Sequence, residues 1–186
     1  MNSSFTIRMA TIQDVPSLLA IYEPYVLHTE VTFEYDVPTL QDFASRVEST
    51  LEKFPYLVCC NADGKIFGYA YASSFKGRAA YNWSVETSIY VDQNCHHKGI
   101  GKILYDALED ILKKQQIRNV CACIAYPNPD SVAFHEYFGY QTVAHFHHSG
   151  FKHGKWLDMI WMEKFINEHI SEPEAFIPIT QLTLSL

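Results

Sequence analysis

The sequence lacks the features that would place a protein on nucleic acid or in a membrane. It has no cluster of lysine and arginine and carries a formal net charge of -7, whereas nucleic-acid binding needs clustered positive charge. No apolar run approaches the roughly 20 residues of a membrane span. Residues 1–10 lack the basic and apolar regions of a signal peptide. We therefore expect a cytoplasmic protein with no nucleic-acid or membrane partner.

The sequence has five cysteines, and they show no paired spacing. An odd number without such spacing argues against a disulfide framework. The length of 186 residues suits one domain with a single core. We predict that domain over residues 1–166, followed by a C-terminal extension over residues 167–186, where Pro173 and Pro178 favour an extended arm.

Hydrophobic periodicity predicts a mixed α/β protein. Apolar residues at helical spacing predict four helices. The first starts near Thr11, and the other three span residues 40–54, 99–115 and 131–138. Other apolar runs predict seven strands, over residues 5–10, 56–61, 65–73, 83–91, 119–125, 140–147 and 156–164. Antiparallel hairpins precede one parallel crossover, which gives a mixed sheet.

Two local features of this sheet can be predicted. The strand over residues 119–125 is apolar throughout, which indicates a sheet covered on both faces, with Cys121 and Cys123 buried. Residues 148–155 are predicted to form the loop between the last two strands.

A candidate phosphate site lies where the strand ending at Val91 passes into the third helix. Gly99 and Gly101 open that helix, where uncovered backbone N–H groups and the helix dipole favour a pyrophosphate. An ordinary strand-to-helix turn is the alternative, because Gly-x-Gly alone is a weak signal. A Rossmann dinucleotide site is disfavoured, because the third glycine of that fingerprint is absent.

An acidic residue, Glu86, lies within the apolar strand that precedes this loop. Alternation places Glu86, Ser88 and Tyr90 on the opposite face from Val85. A buried, unpaired carboxylate is costly, so Glu86 is either a solvated surface acid or a general base in a cleft. In the second case Lys76 and Arg78, just upstream, could hold an anionic group.

The segment over residues 126–140 offers two further polar candidates. Asn128 follows a strand and could bond the amides of a ligand, or it could serve with Ser131 as a turn and N-cap residue. His135 is on a short helix, where a satisfied core histidine is more common than a catalytic one.

These three segments, in this order, resemble the GNAT acetyltransferases over residues 5 to about 166. The specific marks are Phe-Lys-Gly-Arg-Ala-Ala-Tyr-Asn-Trp (75–83), Val-Glu-Thr-Ser-Ile-Tyr-Val (85–91) and Gly-Phe-Lys-His-Gly-Lys-Trp-Leu-Asp (150–158). They are similar to members that acetylate phosphinothricin, methionine sulfoximine or methionine sulfone. The resemblance implies a mixed, mostly antiparallel sheet of about six or seven strands with about four helices, acetyl-CoA as co-substrate, and a homodimer.

The resemblance also implies roles for individual residues in binding acetyl-CoA. The strand residues that would bond the pantetheine arm are Ile89, Tyr90 and Val91. The residues that would take the pyrophosphate are His97, Lys98, Gly99, Ile100, Gly101 and Lys102. Asn128 would bond the pantetheine end, and His96 replaces the Gln or Arg that usually opens the loop.

On the acceptor side, the resemblance assigns the general base to Glu86, which would deprotonate an amine for direct attack without an acyl-enzyme. His135 matches a residue that assists proton transfer. The remaining residues implied to bind the substrate are Phe33, Lys76, Gly77, Arg78, Tyr81, Thr87 and Ser88, together with Glu86 itself.

Other interpretations remain open. A protein or peptide N-acetyltransferase would need an open groove, and a CoA-binding module would need no base; Lys76, Arg78 and Glu86 favour a small anionic amino acid instead. His145 and His147 share a strand face, but we expect no Asp or Cys ligand around them. The chemistry implied needs no metal, so we predict none.

Overall fold

The computed structural model describes residues 5–184 as one mixed sheet with helices on both faces. The strands are β1 (Thr6–Met9), β2 (Tyr56–Cys60), β3 (Ile66–Ser74), β4 (Ser84–Val91), β5 (Asn119–Tyr126), β6 (Gln141–Lys152) and β7 (Lys155–Phe165). The helices are α1 (Val15–His28), α2 (Leu40–Leu51), α3 (Ile100–Lys114) and α4 (Pro129–Tyr137). None of these helices has the length and apolar character to cross a bilayer.

The sheet order is β1-β2-β3-β4-β5-β7-β6, and every neighbouring pair is antiparallel except β4 with β5. The predicted mixed, mostly antiparallel sheet with four helices is confirmed. The parallel pair forms because α3 carries the chain across the sheet between β4 and β5, and such a crossover returns the next strand in the same direction.

Two apolar clusters hold the layers together. On one face, α3 packs Leu104 and Leu108 against Val85 and other sheet residues, all fully buried. On the other face, α1 and α2 pack Leu18 and Val47 against the β2 and β3 strands. Burying each such side chain stabilises the fold by about 1.5–3 kcal/mol.

The prediction that β5 is covered on both faces is wrong at one residue. Cys121 is buried, but Cys123 is exposed. The cluster under α1 and α2 draws its strand residues from β2 and β3, so this face of β5 is left without a helix. A small apolar residue fits either a core or the wall of a cleft, which is why the sequence pattern misplaced Cys123.

The predicted loop over residues 148–155 is also wrong. The β6–β7 hairpin closes with only His153 and Gly154 between the strands, with φ of +49° and +76°. Positive φ at both residues is what a tight type I′ turn requires. The β6 strand also breaks register between Phe146 and Gly150, and His148 in this interval has φ +50°, so extra residues are accommodated as a bulge.

The segment after β7 packs along the domain. Phe176 contacts Phe54 with ring centroids 5.3 Å apart, and Ile179 is buried. The indole Nε1 of Trp83 donates to the Glu174 carbonyl oxygen at 2.7 Å, and Gln115 Nε2 donates to the Ile177 carbonyl oxygen at 2.9 Å. This segment therefore contributes side chains to the main core.

Candidate active site

A cleft opens where β4 and β5 separate. The two strands pair only at Ser84 with Asn119, Val85 with Val120 and Glu86 with Cys121. Beyond Glu86, β4 continues to Val91 while β5 keeps pairing with β7. The β5-facing edge of β4 is therefore open, and an open strand edge offers main-chain hydrogen bonds to an extended ligand.

A cavity of about 630 Å³ occupies this opening, a size typical of small-molecule sites. Eight of the ten residues predicted to bind acetyl-CoA line it: Ile89, Val91, His97, Gly99, Ile100, Gly101, Lys102 and Asn128. Tyr90 instead borders a narrower cavity of about 60 Å³ that continues along β4. The position of Lys98 differs, because its Nζ donates to the Asn94 carbonyl oxygen at 3.0 Å.

The two glycines shape the start of α3. Gly99 caps the helix with φ +79°, a left-handed conformation that side chains rarely adopt. A Cβ on Gly101 would lie 3.0 Å from the Phe134 ring of α4. The backbone at the N-terminus of α3 is therefore exposed to the cavity, where its N–H groups and dipole favour an anion.

His96 has a defined place despite its departure from the usual loop pattern. Its Nε2 lies 2.8 Å from the Tyr25 hydroxyl, which donates to the Val91 carbonyl oxygen at 2.6 Å. Burial raises the pKa of Tyr25 to about 12, so the phenol keeps its proton for this bond. The pair links the loop to α1 and the end of β4. Tyr25 was missed from the sequence, because its spacing in α1 resembles that of any core residue.

Asn128 caps α4. Its Oδ1 accepts from the Ser131 backbone N–H at 3.2 Å, as the turn interpretation predicted. Its amide NH₂ group has no hydrogen-bond partner within residues 5–184, and the residue lines the cavity. The cap thus fixes the side chain and leaves a donor available to a ligand.

Glu86 is a half-buried carboxylate that directly precedes Thr87 and Ser88, two residues that line the narrow cavity. No hydrogen bond to its side chain occurs among the described residues. Burial raises its pKa, and the positive charge of Lys76 opposes part of that rise. A poorly solvated carboxylate of this kind can accept a proton from a bound group.

Four of the predicted substrate residues differ in their surroundings: Lys76 and Tyr81 contact aromatic rings, whereas Gly77 and Arg78 face solvent. Lys76 Nζ lies 5.0 Å from the Phe75 ring centroid and 6.0 Å from that of Trp161. Tyr81 meets Phe75 edge-on at 6.0 Å. Gly77 and Arg78 are exposed, and Arg78 makes no side-chain hydrogen bond or ion pair with residues 5–184.

The loop between α1 and α2 forms a wall that the β6–β7 hairpin holds in place. Phe33, a predicted substrate residue, covers Gly150 so closely that an added Cβ would collide with its ring. Lys152 is 1% exposed and its Nζ donates to the Thr32 carbonyl oxygen at 2.7 Å. Glu30 pairs with Lys155 at 2.8 Å. Sequence spacing could not show these contacts, because they join segments about 120 residues apart.

His135 and Thr87 belong to a buried network on the α3 side of the sheet, whereas Ser88 shares the Glu86 face. Tyr105 OH lies 3.0 Å from His135 Nε2 and 3.3 Å from Thr87 Oγ1. His135 Nδ1 donates to the Ser131 carbonyl oxygen at 2.7 Å, so both ring nitrogens have partners. Burial lowers the pKa of His135. The residue borders the narrow cavity, but the sheet separates it from Glu86.

The expectation that no acidic residue surrounds the histidines of β6 is wrong. Asp158 Oδ2 lies 2.8 Å from His145 Nε2 and 3.0 Å from His147 Nδ1. Asp158 is on β7, so the cross-strand register brings it to these side chains. The sequence-based prediction missed it because it placed residues 148–155 in a loop and could not anticipate the bulge.

Comparisons with known proteins agree with this geometry. The family model described as "Acetyltransferase (GNAT) domain" matches residues 7–161. The chain belongs to the GNAT acetyltransferase family. The resemblance stated from its motifs is thereby confirmed, and the GNAT chain is an acyltransferase.

Individual relatives cover nearly the whole GNAT chain. The phosphinothricin N-acetyltransferase of Streptomyces viridochromogenes is 33% identical over 95% of both chains. The L-methionine sulfoximine/L-methionine sulfone acetyltransferase of Pseudomonas aeruginosa is 29% identical over 91% of this chain and 99% of that one. The crystal structure of a Sinorhizobium meliloti phosphinothricin acetyltransferase with AcCoA matches with a TM-score of 0.87 and 34% identity, over 91% and 93% of the two chains.

Proposed function

We propose that this GNAT enzyme transfers an acetyl group from acetyl-CoA to the α-amine of a small amino acid analogue of the phosphinothricin, methionine sulfoximine or methionine sulfone type. The observation that carries the proposal is Glu86, a half-buried carboxylate without a partner in residues 5–184, at the point where β4 and β5 separate. The names of the relatives support the class of substrate.

The cleft fits acetyl-CoA. The open edge of β4 matches the amides of a pantetheine arm, and the N-terminus of α3 at Gly99 and Gly101 matches a pyrophosphate. The amide NH₂ of Asn128 would bond the pantetheine end. The chemistry that acetyl-CoA supplies when bound is an activated acetyl thioester.

Glu86 would act as the general base. An α-ammonium group cannot attack a thioester until it loses a proton, and its ordinary pKa lies well above neutral pH. Because the pKa of Glu86 is raised, it lies closer to the pKa of the amine, and this smaller difference favours proton transfer. Direct attack of the neutral amine requires no acyl-enzyme and no metal.

The substrate carboxylate or its tetrahedral head would meet Lys76 and Arg78, with Gly77, Tyr81 and Ser88 beside them. Phe33 would supply an apolar wall. Arg78 has no competing partner within residues 5–184 and so remains available for an anion. A free amino acid analogue provides that anion, whereas the α-amine of a peptide does not.

For His135 we propose a positioning role beneath β4, through Tyr105 and Thr87, in place of the direct proton transfer that the resemblance implies. Both of its nitrogens are already bonded. A His135→Gln variant should lose thermal stability while its activity keeps the wild-type pH dependence. A changed pH dependence would restore the direct role. As the resemblance implies, we also propose a homodimer.

The test is thiol release from acetyl-CoA with a panel of acceptors. The panel contains methionine sulfoximine, methionine sulfone, phosphinothricin, ordinary amino acids and short peptides with free N-termini. We expect turnover with free analogues that bear a tetrahedral polar head, confirmed by the mass of the N-acetyl product. Turnover with peptides alone would overturn the proposal in favour of a peptide acetyltransferase.

A further inference from the structure

A second polar cluster lies on the β6–β7 hairpin, apart from the residues assigned to acetyl transfer. His145 Nε2, His147 Nδ1 and one Asp158 oxygen all lie within 4.8 Å of one another. The two imidazole rings have centroids only 4.3 Å apart. Both nitrogens point to the same atom, Asp158 Oδ2, at 2.8 Å and 3.0 Å.

The bulge of β6 builds this arrangement. Phe146 pairs with Met159 and Gly150 pairs with Leu157, so three residues of β6 face Asp158 alone. The backbone N–H of His148, within the bulge, donates to Asp158 Oδ1 at 2.9 Å. One carboxylate oxygen is thereby fixed by the main chain, and the other is directed at the two imidazoles.

Asp158 accepts hydrogen bonds from three groups, the two imidazoles and the His148 backbone N–H. The backbone N–H of His148, followed by the two histidines, keeps the pKa of this carboxyl well below its usual range. A carboxylate and two imidazoles are hard-to-borderline ligands that suit a divalent transition-metal ion. The set offers three ligands, and the exposure of His147 leaves a further position to water.

We propose that His145, His147 and Asp158 form a binding site for a divalent transition-metal ion, for which Zn²⁺ is the probe. Bonds of 2.0–2.2 Å in tetrahedral geometry place ligand atoms about 3.3 Å apart. The present N···O separations of 2.8 Å and 3.0 Å differ from that value by only a few tenths of an ångström, and the two nitrogens lie within 4.8 Å of each other. The ion would take the place of the protons that the imidazoles now share with the carboxylate.

A bound ion would link β6 to β7 at the bulge, beside the C-terminal end of β5. The His145 ring packs against Tyr126 with centroids 5.0 Å apart, and Tyr126 pairs with Asp158. Two residues later, Asn128 lines the cofactor cleft. The site itself does not depend on the acetyltransferase proposal, because its ligands have no part in that chemistry.

Isothermal titration of the untagged, metal-free full-length protein with ZnCl₂ tests the site. We expect one ion per chain and a higher melting temperature on binding. Asp158→Asn and His147→Ala should each weaken binding by at least tenfold. His148→Asn is the matched control, because it changes a neighbouring histidine outside the ligand set and Asn tolerates positive φ.

Equal binding by the wild type and Asp158→Asn would overturn the site, as would the absence of binding to the wild type. A second measurement guards against a variant that fails to fold. In the Co²⁺-loaded wild type we expect visible absorption bands of a low-symmetry, four-coordinate ion, lost in His147→Ala and kept in His148→Asn. A spectrum of hexa-aqua Co²⁺ in the wild type would also overturn the proposal.

Discussion

At the scale of single residues, the electrostatics of the candidate site rest on Glu86 and Lys76. Burial makes the charged form of Glu86 unfavourable, and the nearby ammonium of Lys76 partly compensates. The balance leaves a carboxylate that is more basic than one in water. Arg78 does not contribute to this balance, although it lies only two residues from Lys76.

Because Lys76 lowers the pKa of Glu86 and Arg78 does not, substitutions of the two residues should affect the pH dependence of activity differently. Activity requires ionised Glu86, so kcat/KM should fall as pH drops through its pKa, which lies above the ordinary value of about 4.3. Removing the positive charge in Lys76→Met should raise that pKa further and move the acidic limb to higher pH. Arg78→Ala should raise KM without moving the limb. The profile of kcat/KM against pH measures both, and an unmoved limb in Lys76→Met would contradict the coupling.

Some site residues could be identified from sequence because their chemistry is local. Glu86 interrupts an apolar strand, and Gly99 and Gly101 open a helix. Asp158 could not be found in this way, because its partners are set by a bulge. The spacing of Lys98 could not show that its side chain turns back to the Asn94 carbonyl oxygen.

At the scale of elements, the separation of β4 from β5 creates the cleft. Apolar runs and helical spacing predicted the existence and order of every strand and helix, because these depend on local periodicity. They could not predict that β4 and β5 pair over only three residues. The His153–Gly154 turn was missed for a related reason, since Asn-Gly and Asp-Gly are the usual signals and histidine adopts positive φ less often.

The contact between α3 and α4 predicts a selective effect on cofactor binding. In Gly101→Val, Cβ would meet the Phe134 ring at 3.0 Å and the added methyl groups would enter the cleft. We expect at least a tenfold weaker affinity for acetyl-CoA, measured by titration calorimetry. Gly101→Ala is the control and should bind more nearly as the wild type does, because a ring can move by a few tenths of an ångström. Wild-type affinity in Gly101→Val would place the cofactor elsewhere.

At the scale of the whole molecule, the C-terminal segment and the central sheet share one core. The sequence predicted an extended arm from its prolines but not its contacts, because Trp83, Gln115 and Phe54 are distant in sequence. These three residues bond or pack against it.

Removing residues 167–186 should therefore destabilise the fold. The loss exposes Phe54 and removes buried Ile179, and Trp83 Nε1 loses its acceptor. We expect the free energy of unfolding in urea to fall by about 3 kcal/mol or more. Phe176→Ala in the full chain should show part of this effect. Unchanged stability on truncation would mean that the segment does not pack as described.

The central claim is that Glu86 removes the proton of an amine beside acetyl-CoA in the β4–β5 cleft. Its most direct test is the turnover of Glu86→Gln, with acetyl-CoA affinity measured on the same protein. We expect kcat to fall by about 10²–10⁴-fold with little change in affinity. Glu163→Gln is the matched control. Glu163 is on β7, two strands from Glu86, and both residues pair with Cys121 of β5, so this variant should retain wild-type turnover. Near-normal turnover of Glu86→Gln would contradict the account.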